Sequence, residues 1–585
     1  MEFLKNIKRT YRIIPHKYKP KLFLFSILSF FNLVIELISL AIFVPLILMI
    51  LDKKLFLKTE IFSFLFENTL SDNPYLIIGI ISSIILFFII KNWVSIKIIN
   101  YQSHTAFKIS TEISTIFTKS YIFNDFIQFK NQKKAAVIRN TIAVPNEFTS
   151  FVLLALNSIF TEFLLLLFIF ILSILIHPLI TMYLLLITCT CLYFLHKIDK
   201  KRIHNINQFI AKNYTENTSN LLNLLDGFFE IKIAKKEAYF LQKFDQSNAV
   251  LNKKYASLHA KRMSTPKYTE TIIVILISSI FLFSTFLTKS KDIDLIFLSF
   301  LAASAIKIIP SINKVSIGFL NFKSHIYTID LIENYLKNTN NASDEDQYLL
   351  PFKSTISLKD IDFSYKKNDN LLKDINLTLK KGEIVGITGD SGSGKSTLLN
   401  ILTQLITPHS GEIFVDGIKI EATNKQSFLG LISYIPQSPF ILDGTIIQNI
   451  TLSTDNNSEQ LLSEIDNYLQ LFNLKKYIDK LPDKLHTPIG NNGLSLSGGQ
   501  KQRIAIIRAL LSKPQILILD EATNQLDKTN ELKVLEILKK ASYKNNTTVI
   551  IVSHRFENLI QTCNSVYELI DGHLQHIIQY KDHNS

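Results

Sequence analysis

Apolar positions change their spacing near residue 320. Before it they form long runs, at 22–51, 75–90, 151–176, 179–195, 272–287 and 295–309. A helix needs about 20 apolar residues to cross a bilayer, so the shorter runs must recruit flanking polar residues. Buried core helices produce similar runs, but six of them joined by lysine-rich connectors favour six membrane spans. After residue 320 the runs at 384–388, 431–435, 516–519 and 548–552 are short and read as buried strands of an α/β domain. The connectors 91–147 and 197–267 hold few glycines or prolines, and they are expected to extend the membrane helices into the cytosol. The run 55–66, dense in Leu, Phe and Ile, reads either as an amphipathic helix on the outer face or as a packed extracytoplasmic loop.

Charge orients this pattern. The first twenty-one residues carry Lys5, Lys8, Arg9, Arg12, Lys17, Lys19 and Lys21 against Glu2 alone, and the two long connectors are also basic. The positive-inside rule places all three segments, and the C-terminal domain after the sixth span, in the cytoplasm. The first apolar run is too long for the core of a cleavable signal peptide. Across 585 residues the chain is 47% hydrophobic, with mean hydropathy +0.22 and net charge +14. Much of that charge is topological lysine. No basic helix with interleaved aromatics and no zinc spacing accompanies it, so no nucleic-acid partner is expected. Three cysteines, Cys189, Cys191 and Cys563, do not make a disulfide framework. The polar stretch at 336–352 reads as a linker between a membrane domain, 1–335, and a domain at 353–585.

The chemistry lies in the second part. The segment Gly389, Asp390, Ser391, Gly392, Ser393, Gly394, Lys395, Ser396, Thr397 is a glycine-rich phosphate loop. Its backbone N–H groups can approach phosphates, Lys395 reaches the β/γ-phosphates and the Ser396 hydroxyl suits Mg²⁺. An apolar strand precedes it, and a helix from about Ser396 aims its positive end at the same place. Asp520, at the end of another strand, can hold the Mg²⁺ shell, and Glu521 can polarise an attacking water. Gln437 follows a third strand, where its side chain can sense both Mg²⁺ and a neighbouring domain. His554 follows a fourth and can contact the γ-phosphate, while Tyr365 offers a flat face to adenine.

Together with Leu496-Ser-Gly-Gly-Gln500, these motifs resemble the nucleotide-binding domain of ABC transporters from about Ser354 onward. The resemblance implies that Tyr365 stacks on adenine, Lys395 and Ser396 belong to the Walker A loop, and Gln437 is the Q-loop. It makes Asp520 and Glu521 the Walker B pair and His554 the switch histidine. Ser497, Gly498, Gly499 and Gln500 would serve the ATP held by a second subunit, so a homodimer is implied. Two loops depart from the family: Asn491 stands where exporters usually carry Glu, and Asn524-Gln525-Leu526-Asp527 stands where Ser-Ala-Leu-Asp is usual. The segment 220–234 resembles an exporter coupling helix.

The ionisable residues inside the spans bear on substrate. Glu36 and Glu162 lie mid-span, Lys307 lies deep in the sixth run, and Lys91 and Lys314 lie toward the cytoplasmic ends. Such groups are costly in hydrocarbon unless paired, wet or functional. They read either as Glu–Lys pairs between helices or as a positive cavity suited to phosphate. The stretches 36–45 and 305–314 resemble bacterial flippases of lipid-linked oligosaccharides, a family with basic residues at the positions of Lys91, Lys307 and Lys314. The expected protein is a bacterial inner-membrane homodimer that uses ATP and Mg²⁺ to flip a polyprenyl-pyrophosphate-linked oligosaccharide outward. A lipid A precursor, another lipid, a drug or a peptide is the alternative cargo, the last lowered by the lack of an evident N-terminal peptidase domain. A non-pumping ABC regulator is a further reading, and intact Glu521 and His554 argue against it. The six spans disfavour a soluble DNA-repair or translation ATPase.

Overall fold

The structure, a computed structural model, describes residues 2–51, 74–123, 126–176, 178, 181–182, 209–210, 212–287, 295–339, 350–365, 371–453, 458–490 and 494–579. The run at 179–195 apart from 181–182, the segment 55–66, Cys189, Cys191 and Asn491 lie outside these residues. The chain forms two compact units, Met1–Asn124 with Gln128–Ala342, and Asp125–Ile127 with Ser343–Ser585. The helix Ile326–Thr339 runs into the stretch expected to be linker.

The described parts of the first unit are helical. Among the described residues, three stretches are long and apolar enough to cross a membrane: His16–Ser39, Ile81–Ile122 and Lys134–Leu175. The runs 272–287 and 295–309 lie in the helices Glu237–Leu287 and Leu295–Ser324. The helix Pro74–Ile122 leaves Ile85, Leu86, Ile89, Ile90, Trp93 and Ile96 exposed along one side. An exposed apolar face of this extent calls for lipid or protein to cover it. The stretch from Lys134 to Ile176 alternates α-helix with two five-residue π-helical turns, Arg139–Ala143 and Thr149–Leu153.

Polar side chains join these helices where lipid offers no hydrophobic drive for association. Gln102 donates to Ser29 at 3.0 Å, Asn157 donates to Gln102 at 3.3 Å, and Ser95 donates to Asn32 at 2.6 Å. The amphipathic helix Glu2–Ile13 is fastened differently. Arg9 donates to Asp330 at 2.5 Å and to Glu333 at 2.7 Å, and those hydrogen bonds raise its already high pKa. Farther along, the helix 212–226 ends at Gly227, and Phe228–Ile233 follows as a short helix with Phe228, Phe229 and Ile233 exposed.

The second unit is an α/β domain. Its six-stranded sheet has the spatial order His573–Gln579, Ser565–Ile570, Ile384–Thr388, Thr548–Val552, Ile516–Asp520, Ile432–Ile435. All pairings are parallel except the first, which is antiparallel. The continuous apolar composition follows from burial on both faces, and the three strands 384–388, 516–520 and 548–552 are buried throughout. A four-stranded antiparallel sheet, in the order Leu372–Lys380, Thr355–Phe363, Ser410–Val415, Ile418–Lys419, shares an apolar core with one face.

Asp416-Gly417 makes the tight turn of its last hairpin, with φ 48° and 80° at the two residues. Two successive positive φ values are what a two-residue hairpin with the right twist requires. The Asp416 carboxylate also accepts from the Ser354 amide at 2.8 Å, the Ser354 hydroxyl at 2.7 Å and the Thr355 amide at 2.8 Å. Burial opposes ionisation, but these hydrogen bonds prevail and hold the carboxyl at about 2. A depressed pKa stabilises the fold above the usual carboxyl value, and that contribution is lost as pH falls from about 4 toward 2. Asp416→Ala should therefore speed hydrogen exchange at the 353–355 amides by on the order of ten-fold or more, each unsatisfied donor costing about 1–3 kcal/mol. Exchange in the strand Ile516–Asp520 should stay as in the wild type. Mass-spectrometric exchange of the detergent-solubilised protein checks both.

Candidate nucleotide-binding site

Parallel strands put their C-terminal ends on one edge. Val552 pairs with both Ile387 and Asp520, and Ile435 pairs with Leu519. The residues that follow, Gly389, Glu521, His554 and Gln437, consequently emerge together. This edge is where ligands bind in open α/β sheets.

The phosphate loop turns between the strand Ile384–Thr388 and the helix Lys395–Leu402. Gly389 has φ 143°, and a Cβ there would lie 2.6 Å from the carbonyl oxygen of Leu569, so glycine is obligatory. Lys395 is buried, and its Nζ donates to the carbonyls of Gly389 and Asp390, each at 2.8 Å. Burial holds its ammonium below the ordinary lysine value, while Glu521, Asp520 and Asp390 pull the other way. Ser391 and Ser396 are exposed. The Ser393 hydroxyl is buried without a hydrogen-bond partner, an orphan donor inside a loop of backbone amides. Thr397 is buried and meets the hydroxyl of Tyr365 at 3.3 Å. The Tyr365 ring stands edge-on to Phe363, with 51% of the residue exposed, which leaves aromatic surface beside the loop.

Glu521 lies at the centre of the edge. Its backbone sits in the left-handed region at φ 51°, rare for a residue with a side chain, and its N–H donates to Val552 at 3.0 Å. One carboxylate oxygen lies 2.7 Å from His554 Nε2. The other accepts from Gln437 Nε2 at 2.8 Å and Asn524 Nδ2 at 3.0 Å. Asp520 accepts from the Tyr434 hydroxyl at 2.8 Å. Burial, then the Asp520 charge, pushes that hydroxyl far above the usual tyrosine range. It therefore stays a donor.

Ser497 and Gln500 form a capping box at the head of the helix Gly498–Leu511: the Ser497 hydroxyl accepts from the Gln500 amide and the Gln500 side chain accepts from the Ser497 amide. Ser497 and Gly498 are exposed, so the positive helix end is open to an anion. Gln500, expected among the nucleotide contacts, spends its side-chain oxygen on this cap.

The sequence reading missed Tyr434, and it missed the pair Glu531–Arg555. Glu531 is 1% exposed, accepts from Thr523 at 3.0 Å and is ion-paired with Arg555. It thereby ties the turn after Glu521 to the turn carrying His554. The partners lie 24 residues apart and belong to no motif, so nothing local marks them. The three membrane lysines each have a carboxylate partner. Glu36 pairs with Lys91 at 3.0 Å and with Lys307, while Glu162 pairs with Lys314 at 2.5 Å and accepts from Ser311 at 2.7 Å. This arrangement is the Glu–Lys pairing between helices.

Residues 372–524 match the family model described as ABC transporter. The second unit is an ABC nucleotide-binding domain. The ABC transporter B family member 1 of Dictyostelium discoideum is 36% identical over 229 residues, 39% of this chain and 24% of that protein. The ATP-dependent lipid A-core flippase of Neisseria meningitidis is 38% identical over 218 residues, 37% of this chain and 34% of that protein. The chain thus matches only about a quarter to a third of these two relatives. A bacterial Atm1-family ABC exporter solved with ATP bound superposes with TM-score 0.80 at 16% identity, covering 95% of both chains. The chain has the ABC exporter fold.

The donor set suits Mg²⁺-ATP. The orphan Ser393 hydroxyl and the loop amides fit phosphate, and the Ser396 hydroxyl, Asp520 and Gln437 would hold Mg²⁺. No group of three or more His, Cys, Asp or Glu that could hold a metal occurs among the described residues. That suits an ion which keeps waters and phosphate oxygens in its shell. When bound, Mg²⁺ neutralises phosphate charge. With Mg²⁺-ATP in place, Glu521 would orient a water and accept its proton and Lys395 would stabilise the γ-phosphate, with His554 Nε2 lying 2.7 Å from the Glu521 carboxylate. Glu521→Gln should leave ATP binding intact and cut turnover at least roughly a hundred-fold, because positioning and charge stabilisation are most of what protein supplies here. Phosphate release and nucleotide binding measured on the same preparation check it.

Proposed function

We propose that two copies of this chain form a bacterial inner-membrane ATPase that flips a polyprenyl-pyrophosphate-linked oligosaccharide from the cytoplasmic to the outer leaflet. The observation that carries the substrate reading is the set of charges among apolar helices, where Lys91 and Lys307 share Glu36 and Lys314 pairs with Glu162. With three ammonium groups to two carboxylates, the cluster keeps a positive surplus. In a low-dielectric setting a surplus charge favours an anionic headgroup over a neutral one. A pyrophosphate brings several acceptor oxygens and can take over lysine contacts that Glu36 and Glu162 hold in its absence.

ATP would sit between the phosphate loop of one copy and the Ser497–Gly499 segment of the other. Closing the sandwich and hydrolysing ATP would drive the alternation of access. The lipid A-core flippase named among the relatives favours a second reading, a phosphorylated glycolipid without the polyprenyl chain, which the same cluster would also attract.

Two measurements test these readings. Heterodimers of Lys395→Ala and Ser497→Arg subunits should retain about half of wild-type ATPase activity, because one composite site is intact and the other doubly damaged. Heterodimers as inactive as either parent would show that each site uses its own chain's loop and signature. For the substrate, Lys307→Gln leaves Glu36 paired with Lys91, so assembly and basal ATPase should survive while flipping of a polyprenyl-pyrophosphate sugar in proteoliposomes falls several-fold. The triple Lys91, Lys307, Lys314→Gln change should abolish flipping. If flipping is unchanged in the triple variant, or if wild-type proteoliposomes move lipid A and not the polyprenyl lipid, the substrate reading fails.

A further inference from the structure

We propose that Asn524 is a positioning residue for Glu521, fixing the direction of its carboxylate through the hydrogen bond from Asn524 Nδ2 to the oxygen shared with Gln437. The proposal rests on the reading of Glu521 as the residue that polarises water. Glu521 is held at φ 51°, a conformation that costs an L-residue free energy and therefore persists only where neighbours enforce it. Its carboxylate has three donors, and they differ in how they are tied to it. Gln437 and His554 arrive from turns that follow other strands, and His554 is 43% exposed at its side chain. Asn524 belongs to the same turn as Glu521, with its own amide bonded to the Glu521 carbonyl at 3.2 Å, so its reach to the carboxylate is set by local geometry.

That turn is pinned on both sides. Thr523 is buried and donates to the buried Glu531, itself paired with Arg555. Gln525 lies against Gly498 at the head of the signature helix, close enough that a Cβ on Gly498 would meet its side-chain oxygen at 2.4 Å. Leu526 is 5% exposed in the apolar core of the domain. Anchored before and after, the turn has one residue whose amide can face back to Glu521, and Asn524 fills that place. The bond fixes the direction of the carboxylate and leaves the oxygen facing His554 to take the water's proton.

The test compares ATPase kinetics of the full-length dimer carrying Asn524→Ala, Asn524→Ser, Asn524→Asp or Glu521→Gln. Asn524→Ala should lower kcat by on the order of ten-fold, the worth of one hydrogen bond to a charged group, with KM for ATP unchanged. Should the alanine variant fail to assemble, Asn524→Ser keeps a small polar residue whose hydroxyl stops one bond short of Nδ2, and the same loss is expected. Asn524→Asp replaces the donor with a carboxylate set against that of Glu521, so kcat should fall at least as far as in the alanine variant, with KM for ATP again unchanged. A merely structural role in the site would raise KM for ATP along with the loss in kcat. Wild-type kcat in the alanine and serine variants, or a rise in KM for ATP that matches the loss in kcat, overturns the inference while loss of turnover in Glu521→Gln keeps the parent reading. Wild-type turnover in Glu521→Gln overturns both.

Discussion

The arrangement at the nucleotide edge depends on the register of the parallel strands. Pairing Val552 with Ile387 on one side and Asp520 on the other places the ends of three strands at one level. A shift of one residue would turn every side chain on that strand to the opposite face. The phosphate loop, the acidic pair and the histidine turn would then no longer converge. The isoleucine, leucine and valine side chains of these strands fill both faces of the sheet, and the observed backbone pairing aligns Lys395, Glu521 and His554.

A second constraint is the treatment of charge in poorly solvated places. Near the phosphate loop, Lys395 is buried and bonded to carbonyls of its own loop, with carboxylates nearby that favour its charged form. Among the apolar helices, lysines are matched with Glu36 and Glu162 rather than left alone. In both cases the protein holds its cations with charged or hydrogen-bonding partners. A bare buried lysine would be costly to keep.

Polar residues also carry much of the assembly of the first unit. Gln102, Ser29 and Asn157 form a connected set between helices whose outer surfaces are apolar, and Arg9 clasps Asp330 and Glu333. Where lipid already solvates apolar side chains, these directed contacts specify which helix faces meet. The two π-helical turns between Lys134 and Ile176 lie beside the same region. Within them Arg139 donates to Tyr327 at 3.1 Å, and the ring of Phe151 stacks on His325.

The strands at 384–388, 516–520 and 548–552 were legible in the sequence because a strand buried on both faces must be apolar without interruption. The phosphate loop was legible because close backbone approach demands glycine at fixed spacing. The apolar helices followed from the thickness of a bilayer, which is a constraint on length alone. None of this depends on which distant residues meet. Tertiary structure alone decided that Tyr434 donates to Asp520, that Glu531 joins Thr523 to Arg555, and that Lys91 and Lys307 share Glu36. These contacts join residues separated by between 8 and 271 positions, and either partner alone has the composition of an ordinary turn, strand or span. Sequence patterns record the constraints that a residue's own backbone and solvent impose; which charge is neutralised by which partner is settled only when folding brings the two together.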